Sequence, residues 1–136
     1  MRIRRYSEVR HFDSFLERFE YLKLGGQVGY STFGFDRYLN QAFYRSREWK
    51  WVRNEVIVRD NGCDLGVPGH DISSTLIVHH INPMSVDDIV HHEDWILDPE
   101  FLICCSDSTH NAIHYGDESL LPTGPVERVP GDTRLW

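Results

Sequence analysis

Thr75-Leu76-Ile77-Val78-His79-His80-Ile81-Asn82-Pro83 is the stretch that decides the fold. Leu76-Ile77-Val78 is a continuous apolar run, short enough for a buried strand, and it stops abruptly in two histidines. Neighbouring residues of a strand point to opposite faces, so His79 and His80 cannot easily serve one metal together. One is expected to bind it while the other faces a different part of the same site, the division between ligand and general base that a hydrolase needs. Downstream stands Thr109-His110-Asn111-Ala112-Ile113-His114-Tyr115-Gly116. His110 and His114 are four residues apart on a predicted helix, so both imidazoles share one face and suit chelation. His110 follows His80 by 30 residues, a span that a β-hairpin leading into a helix can close.

Working outward, Phe101–Cys105 reads as the return strand, and Ser106 or Asp107 can cap a helix running through Tyr115 to a C-terminal Gly116. Asp98-Pro99-Glu100 predicts a single turn with proline in its first position. Asn82 to Trp95 reads as an acidic loop. Cys63–Val67 is expected to be a further strand, joined to Thr75–His80 around a Pro68-Gly69 turn. Before it, Ser46 is a good cap for a long helix Arg47–Arg59 that buries Trp49, Val52 and Val56, with Asp60-Asn61-Gly62 ending it. Ser14 and Glu17 form a capping-box pattern for an earlier helix with Phe15, Leu16, Phe19 and Leu22 as its apolar stripe. Gln27–Gly34 reads as a loop and Asp36–Tyr44 as a short helix. The expected fold class is α+β in a single domain: an N-terminal helical extension (1–45), a core (46–116) and an extended tail (117–136), expected to dock through Trp136.

The chain has 136 residues and a net charge of −7. That charge alone argues against nucleic acid, because phosphate neutralisation drives most DNA affinity. The distribution says otherwise. Arg37, Arg45, Arg47, Lys50, Arg53 and Arg59 face only Glu48 and Glu55 between 37 and 59, whereas 60–100 holds no Lys or Arg at all. A basic segment thus precedes an acidic, histidine-rich one, as in a protein with one cationic face and a metal-attracting site. There is no membrane-length apolar run and no secretory leader pattern. The three cysteines fit no disulfide framework and read as small buried hydrophobes in a reducing cytoplasm. His91 and His92, among Asp87, Asp88, Glu93 and Asp94, read as a solvated loop, and His11 and His70 as isolated. No Gly-rich phosphate loop, no Gly-x-Ser-x-Gly elbow and no glycosidase-like carboxylate pair is present.

The segments 43–53 (FYRSREWKWVR), 58–63 (VRDNGC), 78–83 (VHHINP) and 109–116 (THNAIHYG) together resemble an HNH endonuclease of tailed bacteriophages, over roughly Tyr6 to Trp136. The resemblance implies a ββα-metal core clasping one divalent ion (Mg²⁺, Mn²⁺, Zn²⁺ or Ni²⁺), with histidine ligands favouring the later metals over Mg²⁺. It makes His79, His110 and His114 the ligands and His80 the base that deprotonates the attacking water. Arg47, Lys50 and Arg53 would hold the DNA backbone. It also implies work in the cytoplasm of a bacterial host, in phage DNA processing or packaging.

Two departures from the family pattern stand out. Its middle Asn, nine residues before the helix histidine, is Phe101 here. The brace of the active-site loop then falls to Asn82 or Asn111, or to packing. The paired Cys-x-x-Cys motifs of many relatives are also missing, so no structural zinc is expected. Three functions follow: a DNA endonuclease acting alone, a nuclease working only with a phage terminase, or a catalytically weak module of the same fold binding DNA or the terminase.

Overall fold

A computed structural model describes residues 3–24, 41–91 and 93–122. Two strands, β1 (Leu76–His80) and β2 (Leu102–Ser106), form an antiparallel pair with Leu76 opposite Ser106 and His80 opposite Leu102. Helices surround them: α1 (Tyr6–Val9), α2 (Phe15–Leu22), a helical stretch at 41–44, α3 (Arg47–Arg59), α4 (Val86–Val90) and α5 (Asp107–Tyr115). The architecture is mixed α+β. No helix among the described residues is long and apolar enough to cross a membrane.

Strand alternation divides the interior into two cores. Ile77, Ile81, Ile103 and Cys105 pack with Phe19 and Leu22 of α2, Leu65, and Ala112 and Ile113 of α5. Leu76, Val78, Leu102 and Cys104 pack against Trp49 and Val56 of α3. Both faces of the sheet are covered, which is why β2 is buried along its whole length. Full burial of each large side chain such as Phe19 or Leu22 contributes roughly 1.5–3 kcal/mol before chain entropy is counted.

Buried strand edges need hydrogen-bond partners as well. The edge of β2 that turns away from β1 gets them from side chains at the end of α3. Asp60 Oδ2 accepts from the Cys104 amide (2.9 Å), and Asp64 Oδ1 accepts from the Ser106 amide (3.1 Å). Arg59 Nη2 donates to the Leu102 carbonyl (2.6 Å) and Arg59 Nη1 to that of Pro99 (2.6 Å). These three residues stand where a third strand would be. Asp64 Oδ2 also accepts from the hydroxyls of Ser106 (3.0 Å) and Thr109 (2.7 Å), and Ser106 in turn caps α5 by accepting from the Thr109 amide. The start of α5 is therefore tied to the end of β2. Its other end is set by Gly116 (φ 64°), where any Cβ would collide with the Leu24 carbonyl oxygen.

Several expectations change here. The strand expected at Cys63–Val67 is absent: Cys63 makes one bridge to Asp71, and Asp64–Gly66 is a 3-10 turn with Leu65 at φ 53°. The reason is chemical, since Asp64 spends its carboxylate on β2 and α5. β1 pairs with β2 instead. The acidic loop contains α4, closed by a Ser85/Asp88 capping box, and a 3-10 turn at Asp94–Leu97. Leu16 is 46% exposed and leaves the α2 stripe to Phe19 and Leu22, with Phe15 packed beside them. Phe101 closes the 3-10 turn Pro99–Phe101, and β2 starts one residue later. Glu118–Leu120 is a 3-10 turn within the expected extended tail. The loop expected at 27–34, most of the 36–44 helix, His92 and Trp136 lie outside the described residues.

Asp64→Ala strands the Ser106 amide and the Thr109 hydroxyl in the interior. It should cost about 2–4 kcal/mol, read as a lower urea midpoint at unchanged slope. A variant as stable as the parent would show that this carboxylate does not hold the sheet to α5.

Candidate metal centre

β1 carries His79 on the face it shares with Ile77, and α5 lies across that face with His110 and His114 one turn apart. The three imidazoles meet. Ring centroids are 5.1 Å apart for His79–His110 and for His79–His114, and 4.2 Å for His110–His114. The His110 and His114 Nε2 atoms are 2.9 Å apart, and one donor nitrogen from each of the three rings lies within 4.8 Å of the others. The cluster could hold a metal ion.

A hydrogen-bonded histidine pair on one helix would be an ordinary structural feature, but it leaves His79 unexplained. His79 is 4% exposed, and its Nε2 has no hydrogen-bond partner among the described residues. Buried polar atoms are rarely orphaned, because the group gives up its water for nothing. Burial, and then the two neighbouring imidazoles of α5, push the His79 pKa well below its ordinary value. Burial likewise lowers His110 to about 4 and lowers His114. Three imidazoles with one donor nitrogen each within 4.8 Å of the others, one of them without a partner among the described residues, make a group that could hold a metal ion.

His80 points to the other face of β1, as alternation requires. Its ring stacks on Trp49 (5.2 Å, 18° between planes), and its Nε2 lies 2.9 Å from the Ile96 carbonyl oxygen. Burial lowers its pKa to about 4, against a smaller opposing pull from the Ile96 hydrogen bond and Asp88. A carbonyl can only accept, so the neutral ring keeps its proton on Nε2 and its lone pair on Nδ1. All four histidines line one cleft of about 460 Å³.

Arg53 lines that cleft too, whereas Arg47 and Lys50 are exposed on α3 outside it. Asn82 pairs with the backbone of Arg4 through both its amide oxygen (2.9 Å) and nitrogen (3.0 Å), holding the N-terminal arm to the end of β1. Asn111 is exposed on α5. The loop between the strands is held by Arg59 on Pro99, by His80 on Ile96, and by Phe101, whose ring meets Trp95 edge-on (6.1 Å). Arg59, Tyr44 and Trp49 are thus site residues that pattern reading had assigned to a basic face or the core. Exposed His91 joins no ligand cluster among the described residues, and Cys63, Cys104 and Cys105 are buried free thiols.

The lowered histidine pKa values give a signed pH dependence. Between about pH 4 and 6.5 the unfolded chain binds protons that the folded chain excludes at His80 and His110. Stability of the metal-free protein should therefore fall, by several degrees in Tm, as pH drops through that window. A flat profile there would contradict neutral histidines. At pH 7, Zn²⁺ or Ni²⁺ should raise the Tm of the parent but not of His79→Ala. Comparisons with protein-family models, with curated proteins and with solved structures give no match, so the chemistry rests on these residues themselves.

Proposed function

We propose that this protein is a divalent-metal-dependent endonuclease of the HNH (ββα-metal) type, hydrolysing phosphodiester bonds in DNA. One observation carries the reading: an unpartnered His79 Nε2 beside His110 and His114, with neutral His80 in the same cleft on the opposite face of one strand. The β1–β2–α5 succession is the arrangement that such a core requires.

His79, His110 and His114 would hold the ion, which would supply Lewis-acid polarisation of the phosphate and charge stabilisation at the departing 3′ oxygen. His80 Nδ1 takes a proton from the attacking water, the new P–O bond forms, and the P–O3′ bond breaks. The departing 3′ oxygen takes a proton from solvent water, so the products are a 5′-phosphate and a 3′-hydroxyl. The Ile96 carbonyl keeps the His80 ring oriented throughout, and Trp49 fixes its plane. The imidazolium that forms keeps its Nε2–H bond and gains from Asp88. Arg53 lines the same cleft and would bind a phosphate oxygen beside the ligands.

Phe101 in place of the family's Asn favours a second reading, a catalytically weak module binding DNA or a phage terminase. Against it, the loop that carries the His80 contact is tied by Arg59 and by the Asp98 cap of the Pro99–Phe101 turn. Incubated with Mn²⁺, Ni²⁺, Zn²⁺ or Mg²⁺, the protein should nick or linearise plasmid DNA. His80→Ala should lose about 10²–10⁴-fold in rate while still binding metal. Parent protein inert with every metal would refute the nuclease reading, and parental rates in His80→Ala would refute the base.

A further inference from the structure

The cleft has a wall that the hydrolysis above does not use. Tyr44, at the end of the 41–44 helical stretch, stands beside His80 (6.3 Å between centroids). Its ring makes edge-to-face contacts with Trp49 (5.1 Å, 75°) and Phe43 (5.2 Å, 71°). Trp49 and His80 are nearly fully buried, yet Tyr44 is 41% exposed and lines the cleft with Arg53. An aromatic side chain fixed in position with free surface beside a general base is a platform for another flat π-system. In a duplex, base faces are already stacked on each other. Only an unstacked nucleotide offers one.

Charge points the same way. Among the described residues Arg53 is the one cation lining the cleft, in a chain of net charge −7. Phosphate neutralisation by a single arginine supplies little affinity, so a substrate held here must gain from contacts to something other than its backbone. Resting on the nuclease reading, we propose that Tyr44 makes this site selective for DNA with an unpaired nucleotide at the scissile phosphate. The displaced base lies on the Tyr44 ring, and Arg53 holds the adjoining phosphate.

Binding is measurable without cleavage, which separates this inference from the one it rests on. Fluorescence anisotropy of the metal-free protein with a labelled 12-nucleotide strand, its perfect duplex and a duplex with one central unpaired base gives the preference. The single strand and the bulged duplex should each bind at least about tenfold more tightly than the perfect duplex. Tyr44→Leu keeps the bulk without the π face and should remove most of that margin, and Tyr44→Trp should restore it. Equal or tighter binding of the perfect duplex, or a margin unchanged in Tyr44→Leu, overturns the proposal. Hydrolysis of bis(p-nitrophenyl) phosphate, which needs no base stacking, tests the phosphodiesterase chemistry separately. A preference for unpaired DNA in a protein without that hydrolysis would support the platform and count against the nuclease.

Discussion

The alternation of side chains along Leu76–His80 is the constraint on which the site depends. It sends His79 into the core shared with α5 and His80 into the core shared with α3. Two chemically identical residues, adjacent in sequence, thereby acquire different surroundings: two further imidazoles for one, an indole face and a backbone carbonyl for the other. Neither environment can be exchanged without shifting the register by one residue, which would invert every side chain of the strand. The backbone makes the difference.

Holding that register takes more than the two strands. A two-stranded ribbon is marginal in water, and here it is clamped from outside by Arg59, Asp60 and Asp64. The clamp is continuous with function. Asp64 reaches from its 3-10 turn to Ser106 at the end of β2 and to Thr109 on α5, and Thr109 immediately precedes His110. Burial pushes the Asp64 carboxyl up, against the Thr109 and Ser106 hydrogen bonds that hold it down. The position of the α5 histidines is thus set by a buried carboxylate 46 residues before His110.

Much of this was legible in sequence. The caps Ser14, Ser46, Asp98 and Ser106 stand where the pattern placed them, as do the opposed faces of His79 and His80 and the left-handed Gly116. Local chemistry dictates each, so local reading suffices. The clamp was not legible, because hydrogen bonds from Asp60 to Cys104 and from Asp64 to Ser106 leave no periodic trace. Cys63–Val67 was misread for the same cause: an apolar-flanked segment looks like a strand until its aspartate is seen to have a distant partner. α4 was missed although Ser85-x-x-Asp88 carries a capping-box spacing, because its acidic surroundings suggested a loop. Trp49 reads as a core residue and is one, but its stacking on His80 leaves no periodic trace, and nothing in the pattern marks the exposure of Tyr44.

The central claim is that one divalent ion sits on His79, His110 and His114. X-ray absorption spectroscopy of the protein loaded with one equivalent of Zn²⁺ or Ni²⁺ tests it directly, compared with the same spectrum of His79→Ala. Three imidazole nitrogens should appear, at about 2.0–2.1 Å for zinc, with one fewer or no bound metal in the variant. A shell dominated by carboxylate oxygen or thiolate sulfur, or a spectrum indifferent to His79, would contradict the account.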